Sequence, residues 1–320
     1  MPEAVVSTVT LEHIERAAER IAGHVHRTPL LGSAMINREA GCELLFKCEN
    51  LQRVGAFKAR GAFNALLLLG EKDRSHGVAT HSSGNHAAAL SLAASEICTP
   101  AYIVMPDNAP APKIEAVKAY GGQITFCEPT LAAREQALEE VCARTGARFI
   151  PPYDHPDIVA GQGTAALEVA ADLTQAPDFL LAPVGGGGLL AGSAIAARAL
   201  LPGTCVIGAE PLGADDAARS FHSAQWQPQL HPQTIADGLR TSLGQLNFAL
   251  IQQHVDDILT VDDAMIITAM RLIWTRMKIL VEPSAAVPLA VVLRHPARFA
   301  GRRVVIILSG GNVDIDTLPW

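Results

Sequence analysis

The sequence predicts an α/β protein with open, twisted, mainly parallel sheets. Short runs that are apolar throughout, such as 101–105 and 304–309, alternate with helical segments along most of the chain. Strands of this kind are typical of parallel sheets that helices cover on both faces. Hydrophobic residues make up 49% of the 320 residues and charged residues 18%, a balance that permits large cores and argues against disorder.

The elements can be placed in order along the chain. Leu11, Ile14, Ala18 and Ile21 recur at helical spacing, which predicts a first helix that begins after the capping candidate Thr10. Apolar strands are predicted at 43–47, 77–80, 101–105, 123–127, 179–184, 206–210 and 304–309. Helices are predicted between them, at 59–69, 85–94, 112–120, 131–145, 164–173 and 189–200.

Composition and charge exclude several classes of protein. The net charge of -7 argues against a general nucleic-acid binder, whose affinity depends on Lys and Arg. The N-terminal segment lacks a basic stretch followed by an apolar one, and no run of 18 apolar residues occurs, so a cytoplasmic protein without a membrane span is expected. The cysteines form no C-x-x-C pair and are interpreted as small buried side chains in a reducing compartment: Cys42, Cys48, Cys98, Cys127, Cys142 and Cys205.

A run of four glycines follows a predicted strand and precedes a predicted helix, in P-V-G-G-G-G-L-L-A-G at 183–192. Glycines let backbone N–H groups converge on one point, and a helix N-terminus attracts negative charge. The run therefore predicts a phosphate-binding loop rather than a flexible turn. The spacing differs from G-x-G-x-x-G with an acidic residue on the next strand, which makes a dinucleotide fold the less favoured alternative.

Two further segments stand at the ends of predicted strands. H-S-S-G-N-H at 81–86 precedes a helix that Ser82 or Ser83 can cap, and its free amides would suit a carboxylate. Ser309 follows the last strand, at the edge where open α/β sheets bind ligands.

Lys58 is the candidate nucleophile. It lies between Phe57 and Ala59, just before an apolar helix face. Partial burial would lower the pKa of its amine and supply the neutral form that a Schiff base needs. A lone lysine in this position is also typical of a surface residue whose stem alone is buried, so its neighbours decide the interpretation.

These segments occur together in the order of a known family. The motifs are H-R-T-P-L (26–30), K-C-E-N-L-Q (47–52), F-K-A-R-G-A (57–62), T-H-S-S-G-N-H (80–86), the four glycines, T-I-A-D-G (234–238), M-K-I-L-V-E-P-S-A-A (277–286) and L-S-G-G-N (308–312). With them the chain resembles the fold-type II pyridoxal-phosphate (PLP) enzymes, and within these the threonine/serine dehydratase and serine racemase group. The resemblance covers nearly the whole chain.

The resemblance implies a fold like that of the tryptophan synthase β chain, with two open, twisted, mainly parallel-sheet domains. Residues 1–76 and 150–320 would form a large PLP-binding domain, and 77–149 a small domain that clamps the substrate. The Pro-rich stretch 151–156 is interpreted as a hinge between them. A homodimer is expected by the same analogy.

The resemblance also implies roles for individual residues. Lys58 would form the Schiff base with PLP and then remove the Cα proton, and Ser83 would be the second catalytic residue, which returns a proton in racemases. The cofactor-binding residues would be Phe57, Lys58, Asn85, Gly185, Gly186, Gly187, Gly188, Leu189 and Ser309. The substrate-binding residues would be Ser82, Ser83, Asn85, His86, Gly238, Ser242 and Tyr153. Arg134 and Thr241 are further candidates to contact the substrate.

The implied function is a PLP-dependent dehydratase, or ammonia-lyase. It would convert a β-hydroxy amino acid such as threonine, serine, hydroxyaspartate or β-phenylserine to a 2-oxo acid and ammonia by β-elimination. Ser309 at the pyridine nitrogen would make the ring a weaker electron sink than an aspartate would, which favours direct loss of the leaving group. The alternatives are an amino-acid racemase with side elimination, a β-replacement enzyme, a non-catalytic PLP-binding protein and a phosphate-binding module without PLP.

A divalent-cation site is implied as well, in A-E-P-L-G-A-D-D at 209–216. Glu210, the Ala214 carbonyl and Asp216 match a cation site of racemase-like members of the family. Ligands that are all oxygen suit Mg²⁺, Mn²⁺ or Ca²⁺. The alternative is a solvated acidic loop that caps a helix.

The chain departs from the family pattern beside Lys58. The usual T-G-S-F-K is V-G-A-F-K here, so Val54 and Ala56 replace two hydroxyl-bearing residues. The edge of the pocket is therefore expected to be more apolar. This leads to the hypothesis that the substrate is a β-hydroxy amino acid other than serine, such as threonine, a hydroxyaspartate or a β-aryl serine.

Overall fold

The computed structural model describes residues 9–320 and contains two separate sheets. Residues that follow one another in apolar runs form the strands, as expected for a sheet buried on both faces. The strands are β1 (Leu30–Gly32), β2 (Glu43–Cys48), β3 (Val78–His81), β4 (Ala101–Pro106), β5 (Gln123–Cys127), β6 (Arg148–Phe149), β7 (Phe179–Pro183), β8 (Cys205–Pro211), β9 (Asp257–Val261) and β10 (Arg303–Leu308).

The larger sheet has six strands in the order β1-β2-β10-β7-β8-β9, and the smaller has four in the order β5-β4-β3-β6. Neighbouring strands are parallel except β1, which pairs antiparallel with β2 at the edge. In the centre of the larger sheet, Ile306 of β10 pairs with Phe46 on one side and Leu181 on the other. The α/β fold class and the mainly parallel sheets are confirmed.

Helices cover both sheets, as the crossovers between parallel strands require. They are α1 (Leu11–Ile21), α2 (Ala34–Ala40), α3 (Lys58–Leu67), α4 (Glu71–His76), α5 (Asn85–Glu96), α6 (Ala111–Ala119), α7 (Leu131–Thr145), α8 (Pro156–Asp172), α9 (Gly188–Leu200), α10 (Asp216–Ser223), α11 (Gln245–His254), α12 (Asp263–Leu272), α13 (Pro283–Arg294) and α14 (Pro296–Phe299). None of the helices in the described part of the chain is long and apolar enough to cross a membrane.

The hydrophobic cores show how the two sheets are held together. Two clusters of buried side chains lie on opposite faces of the six-stranded sheet. A third cluster packs Phe63 and Leu66 of α3 against Leu90 of α5 and Ile103 of β4, and so joins α3 to the smaller sheet. Just before α3, the Phe57 N–H donates to the carbonyl of Ser309, which follows β10 of the larger sheet (3.0 Å).

The main correction to the predicted elements concerns α8. The expected helix at 164–173 begins at Pro156 instead, after His155, whose side chain accepts a hydrogen bond from the Asp157 N–H. Gly161 and Gly163 do not interrupt this helix, because they allow it to cross its neighbours closely. A Cβ on Gly161 would lie 2.6 Å from Gly61 Cα, and one on Gly163 would lie 2.8 Å from the Gly192 carbonyl oxygen.

Several elements have no counterpart in the sequence prediction. They are β1, β6, β9, α2, α4 and α10 to α14. The shortest strand among them, β6, has two residues and gains its place by pairing with β3. Such short segments lack a periodic pattern, and tertiary pairing rather than local sequence decides their conformation.

Candidate active site at the carboxyl ends of the strands

The candidate residues come together because each follows the carboxyl end of a strand. β10 ends just before Ser309, β7 before the four glycines, and β3 before the Ser82–Ser83 segment. β10 and β7 belong to the larger sheet, where parallel strands bring their ends to the same edge. β3 belongs to the smaller sheet, and the helix that follows it meets the larger sheet's residues through hydrogen bonds from Asn85 to Glu282 and from Asn312 to Asn85. The third element of the site, α3, begins with Lys58.

Lys58 has an apolar, weakly hydrogen-bonded environment. Its Nζ donates a hydrogen bond to the Pro152 carbonyl (2.7 Å) and lies 5.1 Å from the centre of the Phe57 ring and 5.9 Å from that of Tyr153. Burial lowers the pKa of the Lys58 amine to about 8, and the negative charge of Glu282 opposes that decrease. A substantial neutral fraction is therefore available at neutral to mildly alkaline pH, as a nucleophilic or basic amine requires.

The four glycines form a candidate anion site. They connect β7 to α9, and Gly187 is the N-cap of that helix with a φ of 91°, a conformation that favours glycine. Within residues 9–320, nothing accepts a hydrogen bond from the N–H groups of residues 185–189. Unpaired amides at a helix N-terminus fit a phosphate group.

Two of the glycines are also required by packing. A Cβ on Gly186 would lie 2.1 Å from Tyr153 Cγ, and a Cβ on Gly187 would lie 2.6 Å from Leu243 Cδ1. The carbonyl of Gly186 accepts hydrogen bonds from Asn247 Nδ2 (2.6 Å) and from the Gly244 N–H (3.2 Å). The loop is therefore held rigidly, with its carbonyl bound to the protein and its amides left free.

A second set of free amides begins α5. Ser82 Oγ accepts a hydrogen bond from the Gly84 N–H (3.4 Å), whereas in the described chain the N–H groups of Ser83, Asn85 and His86 have no acceptor. Ser83 is half-buried. Free amides at a helix start are the kind of group that binds a carboxylate, so this segment remains the candidate carboxylate site.

His86 contributes shape rather than charge. It is buried, and its Nε2 lies 3.2 Å from the Ile150 carbonyl oxygen. Burial lowers the pKa of His86 to about 3, with the Lys58 charge adding to the decrease. The imidazole is therefore neutral, donates Nε2–H to Ile150 and cannot act as a cation for a bound carboxylate.

Asn85 belongs to a hydrogen-bonded chain that sequence reasoning missed. Its Nδ2 donates to Glu282 Oε1 (2.9 Å) and Oε2 (3.2 Å), and its Oδ1 accepts from Asn312 Nδ2 (2.9 Å). Asn312 Nδ2 also donates to the Val54 carbonyl (2.7 Å). Glu282 and Asn312 stand in two of the motifs noted above, which is the signal that could have identified them.

Glu282 is a buried carboxylate beside the site. Burial raises the pKa of Glu282 to about 7, Asp237 adds to the rise, and the hydrogen bond from Asn85 opposes it. A Cβ on Gly310 would lie 2.6 Å from Glu282 Oε1, so the glycine leaves room for the carboxylate. Asn85 is thus held in one orientation from both ends.

The remaining candidates differ in which of their polar groups are already hydrogen-bonded within the protein. Ser309 is buried, and its carbonyl accepts from the Phe57 N–H (3.0 Å). Leu189 is buried in the first turn of α9. The Gly238 N–H donates to Ser284 Oγ (3.0 Å). Ser242 differs from the others, because its hydroxyl accepts from the Gln229 N–H (2.9 Å) and donates to the Gln229 carbonyl.

The residues proposed for a cation lie at the carboxyl end of β8 and just after it. Glu210 accepts hydrogen bonds from the N–H groups of Ala217 (3.0 Å) and Ala218 (2.8 Å). Asp216 Oδ2 accepts from the Leu243 N–H (2.7 Å), whereas in the described chain Asp216 Oδ1 is buried without a partner. Ala214 ends the short helical turn between them, at 212–214. Residues 9–320 contain no group of three or more His, Cys, Asp or Glu that would hold a metal by itself.

The two acidic side chains are nonetheless short of positive charge. Burial raises the pKa of Glu210 well above its usual range, and Asp216 adds to the rise. Burial also raises the pKa of Asp216 to about 6. Two neighbouring buried carboxylates with one unpartnered oxygen fit a cation that completes its shell with a carbonyl and water.

Comparisons with known proteins agree with this arrangement. The family model described as "Pyridoxal-phosphate dependent enzyme" matches residues 21–310. A β-hydroxyaspartate dehydratase of Paracoccus denitrificans is 47% identical over 97% of this chain and 98% of its own length. An L-threo-3-hydroxyaspartate ammonia-lyase of Saccharomyces cerevisiae is 47% identical over 93% of this chain and 92% of its own. The crystal structure of serine racemase from Dictyostelium discoideum superposes with a TM-score of 0.91 at 46% identity, covering 97% of this chain and 100% of that one.

Proposed function

Because the chain belongs to the family of pyridoxal-phosphate dependent enzymes, we propose that it is an ammonia-lyase that acts on 3-hydroxyaspartate. The reaction would convert the β-hydroxy amino acid to a 2-oxo acid and ammonia. The water lost from Cα and Cβ is taken up again when the resulting imine is hydrolysed, so no net water is formed. The observation that carries the proposal is the placement of Lys58, a half-buried amine near Tyr153, which packs on Gly186 of the four-glycine loop, and near His86 at the start of α5. Relatives named for hydroxyaspartate support the choice of substrate.

The cofactor would be held by groups that the protein leaves free. The amides of residues 185–189 would bind its phosphate, Phe57 would pack against its ring, and Asn85 and Ser309 would bind its polar ring substituents. Bound PLP supplies an electron sink that makes the Cα proton of an amino acid removable. The Glu282 and Asn312 side chains would keep Asn85 oriented for that role.

Lys58 would act as the base. Its amine, with a pKa lowered by burial to about 8, accepts the Cα proton at Nζ. The aromatic rings of Phe57 and Tyr153 restrict water around Nζ, and the Pro152 carbonyl orients it through one hydrogen bond. Loss of water from Cβ then completes the elimination.

The two carboxylates of 3-hydroxyaspartate would be bound by different elements. The free amides of Ser83, Asn85 and His86, with the Ser82 hydroxyl, would hold the α-carboxylate. Arg134 is the candidate group for the second carboxylate. Its positive charge lies near His81, at the end of β3. The pKa of His81 is lowered mainly by burial and next by the charge of Arg134. A cation there favours a dicarboxylic substrate over serine or threonine.

The proposal is tested by comparing kcat/KM for L-threo-3-hydroxyaspartate, L-serine, L-threonine and β-phenylserine. We expect hydroxyaspartate to be preferred, and Arg134→Gln to reduce that preference while leaving turnover of serine nearly unchanged. Arg144→Gln, a change on the last turn of the same helix, is the control. A clear preference of the unmodified enzyme for serine would contradict the proposed substrate.

Serine racemisation is the second candidate activity. It is favoured by the Dictyostelium serine racemase similarity and by Ser83, whose half-buried hydroxyl stands at the start of α5 and would return a proton to Cα. Chiral chromatography of residual serine after incubation tests it. Appearance of D-serine that Ser83→Ala abolishes would establish the activity, and its absence from the unmodified enzyme would exclude it.

We further propose that Glu210, the Ala214 carbonyl and Asp216 bind Mg²⁺, Mn²⁺ or Ca²⁺. The unpartnered Asp216 oxygen beside the buried Glu210 supports this assignment. Added Mg²⁺ should raise the melting temperature of chelator-treated protein, and Asp216→Asn should remove that effect. An equal rise in the variant would contradict the site.

We also propose a domain organisation, an oligomeric state and a location, each from a separate observation. The four strands of the smaller sheet all lie within 78–149, which supports a small clamping domain at 77–149 beside a large domain of 1–76 and 150–320.

The exposed apolar side chains of Leu51, Leu280 and Trp320 support a homodimer, which light scattering would test. Six unpaired cysteines support a cytoplasmic location.

A further inference from the structure

The hydroxyl group of Tyr153 has no part in the steps assigned to Lys58, for which only the Tyr153 ring matters. Its ring packs directly on Gly186, where a Cβ would lie 2.1 Å from Tyr153 Cγ, and its centre is 5.9 Å from Lys58 Nζ. Its carbonyl accepts a hydrogen bond from Asn247 Nδ2 (3.2 Å). The side chain is therefore fixed between the base and the phosphate-binding loop.

The hydroxyl of Tyr153 is paired with only one other group. It lies 2.9 Å from Thr241 Oγ1, and within the described part of the chain neither hydroxyl has a second hydrogen-bond partner. Burial raises the pKa of Tyr153, so the phenol keeps its proton. Two hydroxyls that share one hydrogen bond retain one O–H donor and free lone pairs, which can bind a hydroxyl group of a ligand.

Ser242 does not compete for this role. Its hydroxyl is already bound to the backbone N–H and carbonyl of Gln229. The edge of the pocket formed by Val54 and Ala56 carries no hydroxyl at all. The Tyr153–Thr241 pair is therefore a source of hydroxyl groups beside Lys58 that remains free to bind a substrate.

We propose that Tyr153 and Thr241 bind the β-hydroxyl of the substrate and are specificity-determining residues for β-hydroxy amino acids. The inference rests on the proposed function, because it takes the Cα proton to be removed by Lys58. The β-oxygen is two bonds from that Cα, so its binding group must lie close to Lys58, as Tyr153 does. A hydrogen bond donated to the β-oxygen also weakens the Cβ–O bond as negative charge develops on the oxygen.

Binding of two unreactive amino acids to the holoenzyme tests the proposal without turnover. α-Methylserine and α-methylalanine both lack the Cα hydrogen and differ by the β-hydroxyl alone. Calorimetry should show that the unmodified enzyme prefers α-methylserine, and that Tyr153→Phe and Thr241→Val each reduce the preference about 2- to 10-fold, the effect of one hydrogen bond. Thr241→Ser should restore it, and Tyr120→Phe, on a tyrosine outside the site, should leave it unchanged.

A kinetic comparison of leaving groups gives an independent measurement. Chloride needs no hydrogen-bond donor to leave, so Tyr153→Phe should lower kcat/KM for L-serine at least about 10-fold more than for β-chloroalanine. Equal losses for the two substrates, or an α-methylserine preference that both variants retain, would overturn the proposal. Absence of 2-oxo acid from every β-hydroxy substrate of the unmodified enzyme would instead overturn the proposed function, because the binding comparison does not depend on turnover.

Discussion

Two lysines eleven positions apart, Lys47 and Lys58, differ in exposure and in partners, because Lys47 is fully buried and Lys58 is half-buried. Lys47 has no exposed surface, and its Nζ donates to Glu168 Oε2 (2.6 Å) and to the Thr28 carbonyl (2.7 Å). Lys58 has a single carbonyl partner and two aromatic rings. A paired buried charge contributes to structure, whereas a buried charge without a carboxylate in hydrogen-bond contact loses its proton more readily and becomes reactive.

Lys47 belongs to a buried ionic cluster that also contains Glu49, Arg60 and Glu168. Arg60 donates to both oxygens of Glu49 (2.7 and 2.8 Å) and to both oxygens of Glu168 (2.7 and 2.9 Å). Thr28 donates to Glu49. Since Arg60 is two residues after Lys58, the cluster fixes the helix turn that carries the reactive lysine.

The largest effect is expected from removal of the reactive lysine. Lys58→Ala should reduce turnover by about 10³-fold or more, because the base and the covalent attachment point are both lost. The melting temperature should change little, and the visible absorbance of the bound cofactor should disappear. Lys72→Ala, on an exposed lysine of α4, is the control. Retention of the absorbance band in Lys58→Ala would show that another lysine holds the cofactor.

Removal of Arg60 should have the opposite effect to removal of Lys58, because it should cause a large loss of stability. Arg60→Met leaves Glu49 buried without its cation, and breaking a buried pair in this way costs about 3–5 kcal/mol of unfolding free energy. Urea unfolding of the holoenzyme measures it. The matched control is Arg16→Met, which removes an exposed pair with Glu12 that contributes about 0–1 kcal/mol. Similar losses in the two variants would contradict a structural role for the cluster.

Glu282→Gln should make the Lys58 amine easier to deprotonate, and so less like the ion-paired Lys47. The negative charge of Glu282 raises the pKa of Lys58, so its removal should lower that pKa below about 8. The rate at which apoenzyme binds PLP should then rise at a lower pH than in the unmodified protein, because the neutral amine is the reactive form.

The difference between Glu282→Gln and the unmodified protein should shrink below pH about 7, where Glu282 is itself protonated. The other charged groups around it are Asp237 and Lys113, which both enzymes keep. Glu39→Gln, on an exposed residue of α2, is the control. A midpoint that stays or moves to higher pH would show that Glu282 does not act on Lys58.

The smallest effect is expected from a third lysine, Lys113, which is neither buried nor reactive. Lys113 lies on α6 and forms an ion pair with Asp237, which begins the short helical turn at 237–239. Both side chains are partly exposed, so a double-mutant cycle with Lys113→Ala and Asp237→Ala should give a coupling of about 0.2–1 kcal/mol that falls with added salt. A coupling above this range that is insensitive to salt would place the pair with the buried cluster.

Sequence by itself determined the fold class and the main parts of the site. The apolar strands and the glycine run depend on local chemistry, because an apolar strand requires cover on both faces and free amides require glycine and a helix start. The catalytic roles of Lys58 and Ser83 follow only from the resemblance of their motifs to a known family. The sequence could not locate the N-terminal half of α8, where Gly161 and Gly163 serve contacts with other helices.

Tertiary structure alone decided which polar groups are paired and which remain free. Ser242 is bound to Gln229 while Thr241 meets Tyr153, and Glu282 holds Asn85 although 197 positions separate them. Lys47 and Lys58 look alike as letters, and only the positions of Glu168 and Pro152 distinguish them. The physical reason is that the protonation state and reactivity of a buried group depend on its neighbours in space, which come from distant parts of the chain.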